Sequence, residues 1–119
     1  MSYHNQLGRQ GEVRAVKYLE SNGYEILEQN FYYQKAELDI VALKDEVVIV
    51  VEVKTRNSDY FGDPQRFVSK KKIGLMVKAA NAYLQQKDLQ YEVRFDILAI
   101  LLNSKQEQIT HIKDAFYHF

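Results

Sequence analysis

Residues 46–55 read Glu46-Val47-Val48-Ile49-Val50-Val51-Glu52-Val53-Lys54-Thr55. The unbroken branched apolar run from Val47 to Val51 describes a strand covered on both faces, in the middle of a sheet flanked by helices. It stops at Glu52, and Lys54 follows two positions later. Strand side chains alternate between faces, so Glu52 and Lys54 share a face with Val48 and Val50. A carboxylate on a central strand is expensive to bury alone. It needs a strand end open to water, a basic partner or a bound cation.

The flanking sequence supplies the rest of that sheet. Residues 36–44 (AELDIVALK) alternate as a strand, with Glu37, Asp39 and Val41 on one face. The short Lys44-Asp45 connection predicts a hairpin with residues 46–55. A simple register about that turn brings Asp39 near Val51 and Glu52. Residues 24–34 (YEILEQNFYYQ) predict an earlier strand, joined through Gln34-Lys35 as a meander. Its Tyr32 and Tyr33 are expected to pack on the sheet.

A helix is predicted over residues 4–21. At about 100° per residue, Leu7, Gly11, Ala15, Val16, Tyr18 and Leu19 fall on one broad face. Glu12 lies inside that face, and Asn22-Gly23 is a helix stop. A loop over residues 56–67 carries the only proline, Pro64. A second helix fits residues 68–86, with Ile73, Met76, Val77, Ala80, Tyr83 and Leu84 aligned; Ser69 or a nearby loop residue caps it. Strands are predicted over 91–102 and 107–113. The expectation is one α/β domain over residues 1–119, in the order α-β-β-β-α-β-β, with a mixed central sheet flanked by helices.

Composition narrows the function. With 46% apolar and 27% charged residues, the chain can bury a core and stay soluble. It has no cysteine, which removes disulfides, thiolate chemistry and Cys-type zinc sites. No apolar run is long enough for a membrane span and no signal peptide is visible, so a cytoplasmic protein without membrane association is expected. The net charge is zero but unevenly spread. Residues 1–53 hold five basic and nine acidic side chains, whereas residues 54–78 hold seven basic and two acidic. An acidic half beside a basic segment suits a cation site next to an anionic ligand; a solvated lysine-rich helix start is the plainer reading.

Asp39, Glu52 and Lys54 form the pattern D-x(12)-E-x-K on neighbouring strands. Magnesium takes oxygen ligands, commonly one or two carboxylates with waters and substrate phosphates. Asp39 and Glu52 meet that minimum, and the Val53 carbonyl could add a third ligand. Lys54 would stand beside the cation. The competing account is an ion pair of Glu52 or Asp39 with Lys54 and no metal.

These residues carry a resemblance. Gly8-Arg9-Gln10-Gly11-Glu12, Gly23-Tyr24-Glu25-Ile26-Leu27, Asn30, Ala36-Glu37-Leu38-Asp39-Ile40-Val41-Ala42, Val51-Glu52-Val53-Lys54-Thr55-Arg56, Gly62, Pro64, Lys70 and Arg94-Phe95-Asp96 resemble the YraN-like bacterial family of the restriction-endonuclease-like superfamily. Archaeal-type Holliday-junction resolvases look similar in layout. The resemblance implies a PD-(D/E)xK-type site: Asp39 and Glu52 as magnesium or manganese ligands, Lys54 as the catalytic lysine, and Glu12 as a helix-borne acidic partner. It implies a metal-dependent nuclease acting on DNA, with branched or other structured DNA among the candidate substrates; cutting two strands needs two sites and favours a homodimer. A binding module without turnover, or a small partner of a DNA-processing complex, is the alternative. The chain departs from the family at Ala36, where glycine is usual, and from the superfamily at Leu38, where proline precedes the aspartate. Alanine would strain a turn that needs positive φ and cost nothing at an ordinary strand start.

Arg56, Arg66 and Lys70 are candidate phosphate contacts, and Tyr60 is a candidate for stacking on an unpaired base. Lys72 flanks the apolar face of the second helix, and Lys71 and Lys78 point outward. Asp96 is expected in a local ion pair. His4, His111 and His118 show no metal-ligand spacing and are expected at the surface.

Overall fold

The structure, a computed structural model, describes residues 3–58 and 68–116. Its elements follow the expected order: α1 (Tyr3–Ser21), β1 (Glu25–Tyr33), β2 (Ala36–Lys44), β3 (Val47–Arg56), α2 (Lys70–Gln86), β4 (Glu92–Leu102) and β5 (Glu107–Ile112). The strands form one sheet in chain order. Neighbours are antiparallel except β3 and β4, which are parallel. A parallel pair needs a crossover, and α2 lies on it.

The apolar run is explained by this placement. Val48 and Val50 join the core under α2, with Met76, Ala79, Ala80 and Tyr83. Ile49 and Val51 join the core under α1, with Leu7, Ala15 and Leu19. The hairpin turn is Asp45-Glu46, both left-handed at φ 52° and 64°. That is the type I′ pattern whose twist matches its flanking strands. Ala36 is absent from the positive-φ positions and is buried where β2 starts, so alanine strains nothing there.

Both helices have recognisable ends. Gly23, at φ 86°, donates to Glu20 O and Tyr24 donates to Leu19 O, the paired bonds of a Schellman stop. Ser69 caps α2, its Oγ accepting the Lys72 N–H at 3.1 Å.

Asp96 is fully buried in β4 and collects several donors. Arg94 grips both carboxylate oxygens at 2.8 Å, His111 Nε2 lies 2.7 Å from Oδ2, and the Asp114 N–H donates to Oδ1 at 3.0 Å. The expected ion pair is present. His111 is not a surface residue: only 6% of its side chain is exposed, and its Nδ1 lies 2.9 Å from the Tyr18 hydroxyl. The physical reason is that β5 pairs with β4 and sets His111 beside Asp96 on the α1 side. Tyr32 is likewise not packed on the sheet, being 70% exposed on the edge strand β1, while Tyr33 packs against the α2-side core.

Gly11 sets how closely α1 approaches the sheet. A β-carbon there would collide with Thr55 Oγ1 and stand 2.8 Å from Thr55 Cβ. Glycine-to-alanine within a helix ordinarily stabilises by about 1 kcal/mol. Here overpacking should reverse the sign, and Gly11→Ala should lose about 1–3 kcal/mol in urea unfolding. A more stable variant would show that α1 does not rest on Thr55.

Candidate functional site

The β2–β3 ladder runs from Lys44↔Val47 to Ile40↔Val51 and ends there. Continued, that register would set Asp39 opposite Glu52. Instead the Asp39 side chain enters the ladder, its Oδ2 accepting the Val53 N–H at 2.8 Å. A strand residue turns its N–H and C=O toward the same neighbour. The Val53 carbonyl therefore faces the gap that Asp39 occupies.

Beyond this point β2 changes faces. Ala36 and Leu38 belong to the α2-side core, yet Ile40 and Ala42, at the same parity, belong to the α1-side core. The expectation that Glu37, Asp39 and Val41 share one face is thereby corrected. Val41 packs on the α2 side, while Glu37 meets Glu12 of α1 through Asn30. With its amide nitrogen turned toward the two carboxylates, Asn30 donates to Glu12 Oε1 and Glu37 Oε2, both at 3.2 Å. Asn30 has φ 55°, a conformation asparagine tolerates better than most residues. Asp39 thus sits at the break in alternation, where the Val53 N–H has lost a backbone acceptor from the ladder and an acidic side-chain oxygen has replaced it.

Glu52 is 3% exposed and is held by Lys72 Nζ of α2 at 2.5 Å. The expected competing ion pair involved Lys54; the structure adds Lys72, which the sequence placed only beside the apolar face of the second helix. Its signal was weak: a lysine beside the apolar face at the dipole-disfavoured end of a helix. Lys54 lies close by and feels both Glu52 and Lys72.

The electrostatics follow from this crowding. Burial, then the neighbouring Glu52, push the Asp39 carboxyl up to about 7 against the lowering pull of the Val53 N–H, with Glu12 and Glu37 adding to the rise. Burial and Glu37 raise the Glu12 carboxyl, opposed by Asn30. Burial and Lys72 hold the Lys54 ammonium below the ordinary lysine range. The Tyr32 hydroxyl, bonded to Glu37, is raised as well, which places this exposed ring at the rim of the acidic cluster.

Asp39, Glu52, Lys54 and Glu12 are therefore brought together electrostatically, with Glu37 and Lys72 added. Among the described residues, no group of three or more Asp, Glu, His or Cys forms a ready metal cage. The donors on offer are oxygens: Asp39, Glu52 and the Val53 carbonyl. Oxygen donors of this kind, completed by water, fit magnesium or manganese rather than a thiolate-seeking metal. Arg56, at the end of β3, donates to Thr55 O at 3.0 Å, and Lys70 is exposed at the start of α2. Arg66 and Tyr60 lie outside the described residues, as do Gly62 and Pro64. No described helix is long and apolar enough to cross a membrane.

Residues 11–100 match the model of a family described as "Uncharacterised protein family UPF0102". The UPF0102 protein of Flavobacterium psychrophilum is 51% identical over 119 residues, covering all of both chains. The UPF0102 protein of Parabacteroides distasonis is 43% identical over 117 residues, covering 98% of this chain and 97% of its own. That of Clostridium perfringens is 42% identical over 117 residues, covering 96% of each.

The raised Asp39 carboxyl makes stability depend on pH. The folded state keeps a proton that the unfolded chain, with an ordinary value of 3.8, has released. Stability from this group is full below about pH 4 and is lost as pH rises through about 7. Asp39→Asn should flatten the fall in melting temperature between those limits. An unchanged fall would locate the retained proton elsewhere.

Proposed function

The chain belongs to the YraN-like family UPF0102, and from its cleft we propose that it is a metal-dependent nuclease hydrolysing phosphodiester bonds in DNA. The observation that carries the proposal is the gap between β2 and β3. There Asp39 bonds the Val53 N–H beside the buried Glu52, with Lys54 on the same strand. The proposed fold is restriction-endonuclease-like, since the first six elements follow that superfamily's α-β-β-β-α-β order. Asp39, Glu52 and the Val53 carbonyl would hold magnesium or manganese. When bound, the cation supplies Lewis-acid charge at the scissile phosphate and a more acidic water.

The protein's own groups divide the remaining work. Asp39 and Glu52 supply acceptor oxygens where the β2–β3 ladder has ended. Lys54, its ammonium easier to deprotonate than an exposed lysine, takes a proton from the attacking water or steadies charge on the phosphate. Glu12, held by Asn30, supplies a further acidic group from α1. Lys70 and Arg56 contact flanking phosphates; Arg66 and Tyr60, outside the described residues, would extend that contact to the backbone and an unpaired base. Cutting two strands of a duplex or junction requires two such sites, so a homodimer is the proposed working form.

The test is a cleavage assay over single-stranded, duplex, nicked and branched DNA, with RNA alongside, in magnesium or manganese. Glu52→Ala should fall to background, and Lys54→Ala should lose about 10²- to 10⁴-fold while still binding the cation. No cleavage of any substrate with either metal would sink the nuclease reading. In binding assays Lys70→Ala should reduce the dependence of log affinity on log salt by about one contact. An unchanged slope would remove Lys70 from the interface.

A further inference from the structure

Lys72 stands where its charge is unfavourable. It lies in the first turn of α2, beside Lys70 and Lys71, and that turn holds no acidic residue. A helix N-terminus carries partial positive charge, so three lysines there are repelled by the dipole and by one another. Lys70 and Lys71 are exposed, whereas Lys72 turns inward. Its backbone N–H is fixed by Ser69 and its ammonium by Glu52. Glu52 is 3% exposed, so this ammonium is the counter-charge that makes its burial tolerable. Lys72 holds this carboxylate through Oε2, and a divalent cation at Asp39 and Glu52 would draw on the same carboxylate.

We propose that Lys72 is a built-in competitor for the cation: it neutralises Glu52 when no divalent ion is bound and must release that carboxylate before one can bind. This rests on reading Asp39 and Glu52 as metal ligands. It makes Lys72 a positioning residue, acting on metal loading through Glu52. The Lys72 side chain is 39% exposed, so the ammonium has an open path back to water once displaced. The cleft then stays folded without metal, at the cost of weaker metal affinity than its acids alone would give.

The test is manganese titration by calorimetry, without nucleic acid. Lys72→Met keeps the apolar stem and removes the charge; it should bind manganese about tenfold or more tightly than wild type, the scale of a typical coupling between competing ligands. Lys71→Met, on the exposed side of the same turn, should bind as wild type does. Glu52→Gln should lose most of the binding, and Lys72→Arg should restore wild-type affinity by restoring the competing charge. Lys72→Met should also melt lower without metal, and gain more from manganese. Should the methionine variant fail to fold, Lys72→Gln offers Glu52 a neutral donor and reads the same competition.

Unchanged or weaker manganese binding in the folded neutral variant overturns the competition. No binding by wild type or variant overturns both the competition and the cation reading beneath it. Tighter binding in the variant, together with no cleavage of any nucleic acid by wild type, upholds the competition and removes the nuclease assignment alone.

Discussion

A carboxylate on the central strand, almost wholly removed from water, constrains everything around it. Glu52 cannot be tolerated there without compensation, because desolvating an ionised group costs several kcal/mol even after local relaxation. The surrounding elements supply that compensation. Lys72 reaches it from α2. β2 leaves the ladder beside it, which opens the gap. Asp39 then fills the lost hydrogen-bond position with a side-chain oxygen. Gly11 lets α1 close on Thr55, which carries Glu12 toward the same acids.

Much of this was legible in the chain because it follows local rules. The five-residue apolar run located the central strand, and the two-residue hairpin fixed a register that places Asp39 at the level of Glu52. The order of elements and the end of α1 at Gly23 followed from periodicity and turn chemistry. What escaped is long-range. Strict alternation put Glu37, Asp39 and Val41 on one face, but alternation holds only while a strand stays in its ladder. β2 pairs with β3 only from Ile40 onward, and no local pattern announces that. Lys72 and His111 escaped for a related reason. Each is an ordinary residue on its own element, and the partner that gives it meaning lies 20 or 15 positions away. Asn30, quoted only as a matching residue, proves to bridge two acids, a role set by its backbone conformation rather than by any spacing.

Two buried acidic centres on one sheet separate architecture from chemistry. Asp96 and the pair Asp39–Glu52 both lie on the inner strands and their neighbours. Burial alone would push the Asp96 carboxyl up, yet His111, Arg94 and the Asp114 N–H hold it below the usual carboxylate value. Every oxygen there is spoken for. Such a centre stitches β4 to β5, α1 and the following turn, and has no capacity left for a ligand.

Asp39 is the opposite case. One backbone N–H is its only described hydrogen bond, and three carboxylates crowd it. Its carboxyl rises to about 7 through burial first, and then through the negative charge of Glu52, Glu12 and Glu37. Natural cores rarely retain that imbalance without a use, since an apolar residue at Asp39 would relieve it. A saturated acid, fully buried on β4, and an under-compensated one, partly buried on β2, differ in what still remains to be bound. That difference, more than the Glu-x-Lys spacing, directs attention to the β2–β3 gap: it is the place where this fold retains an uncompensated demand for positive charge.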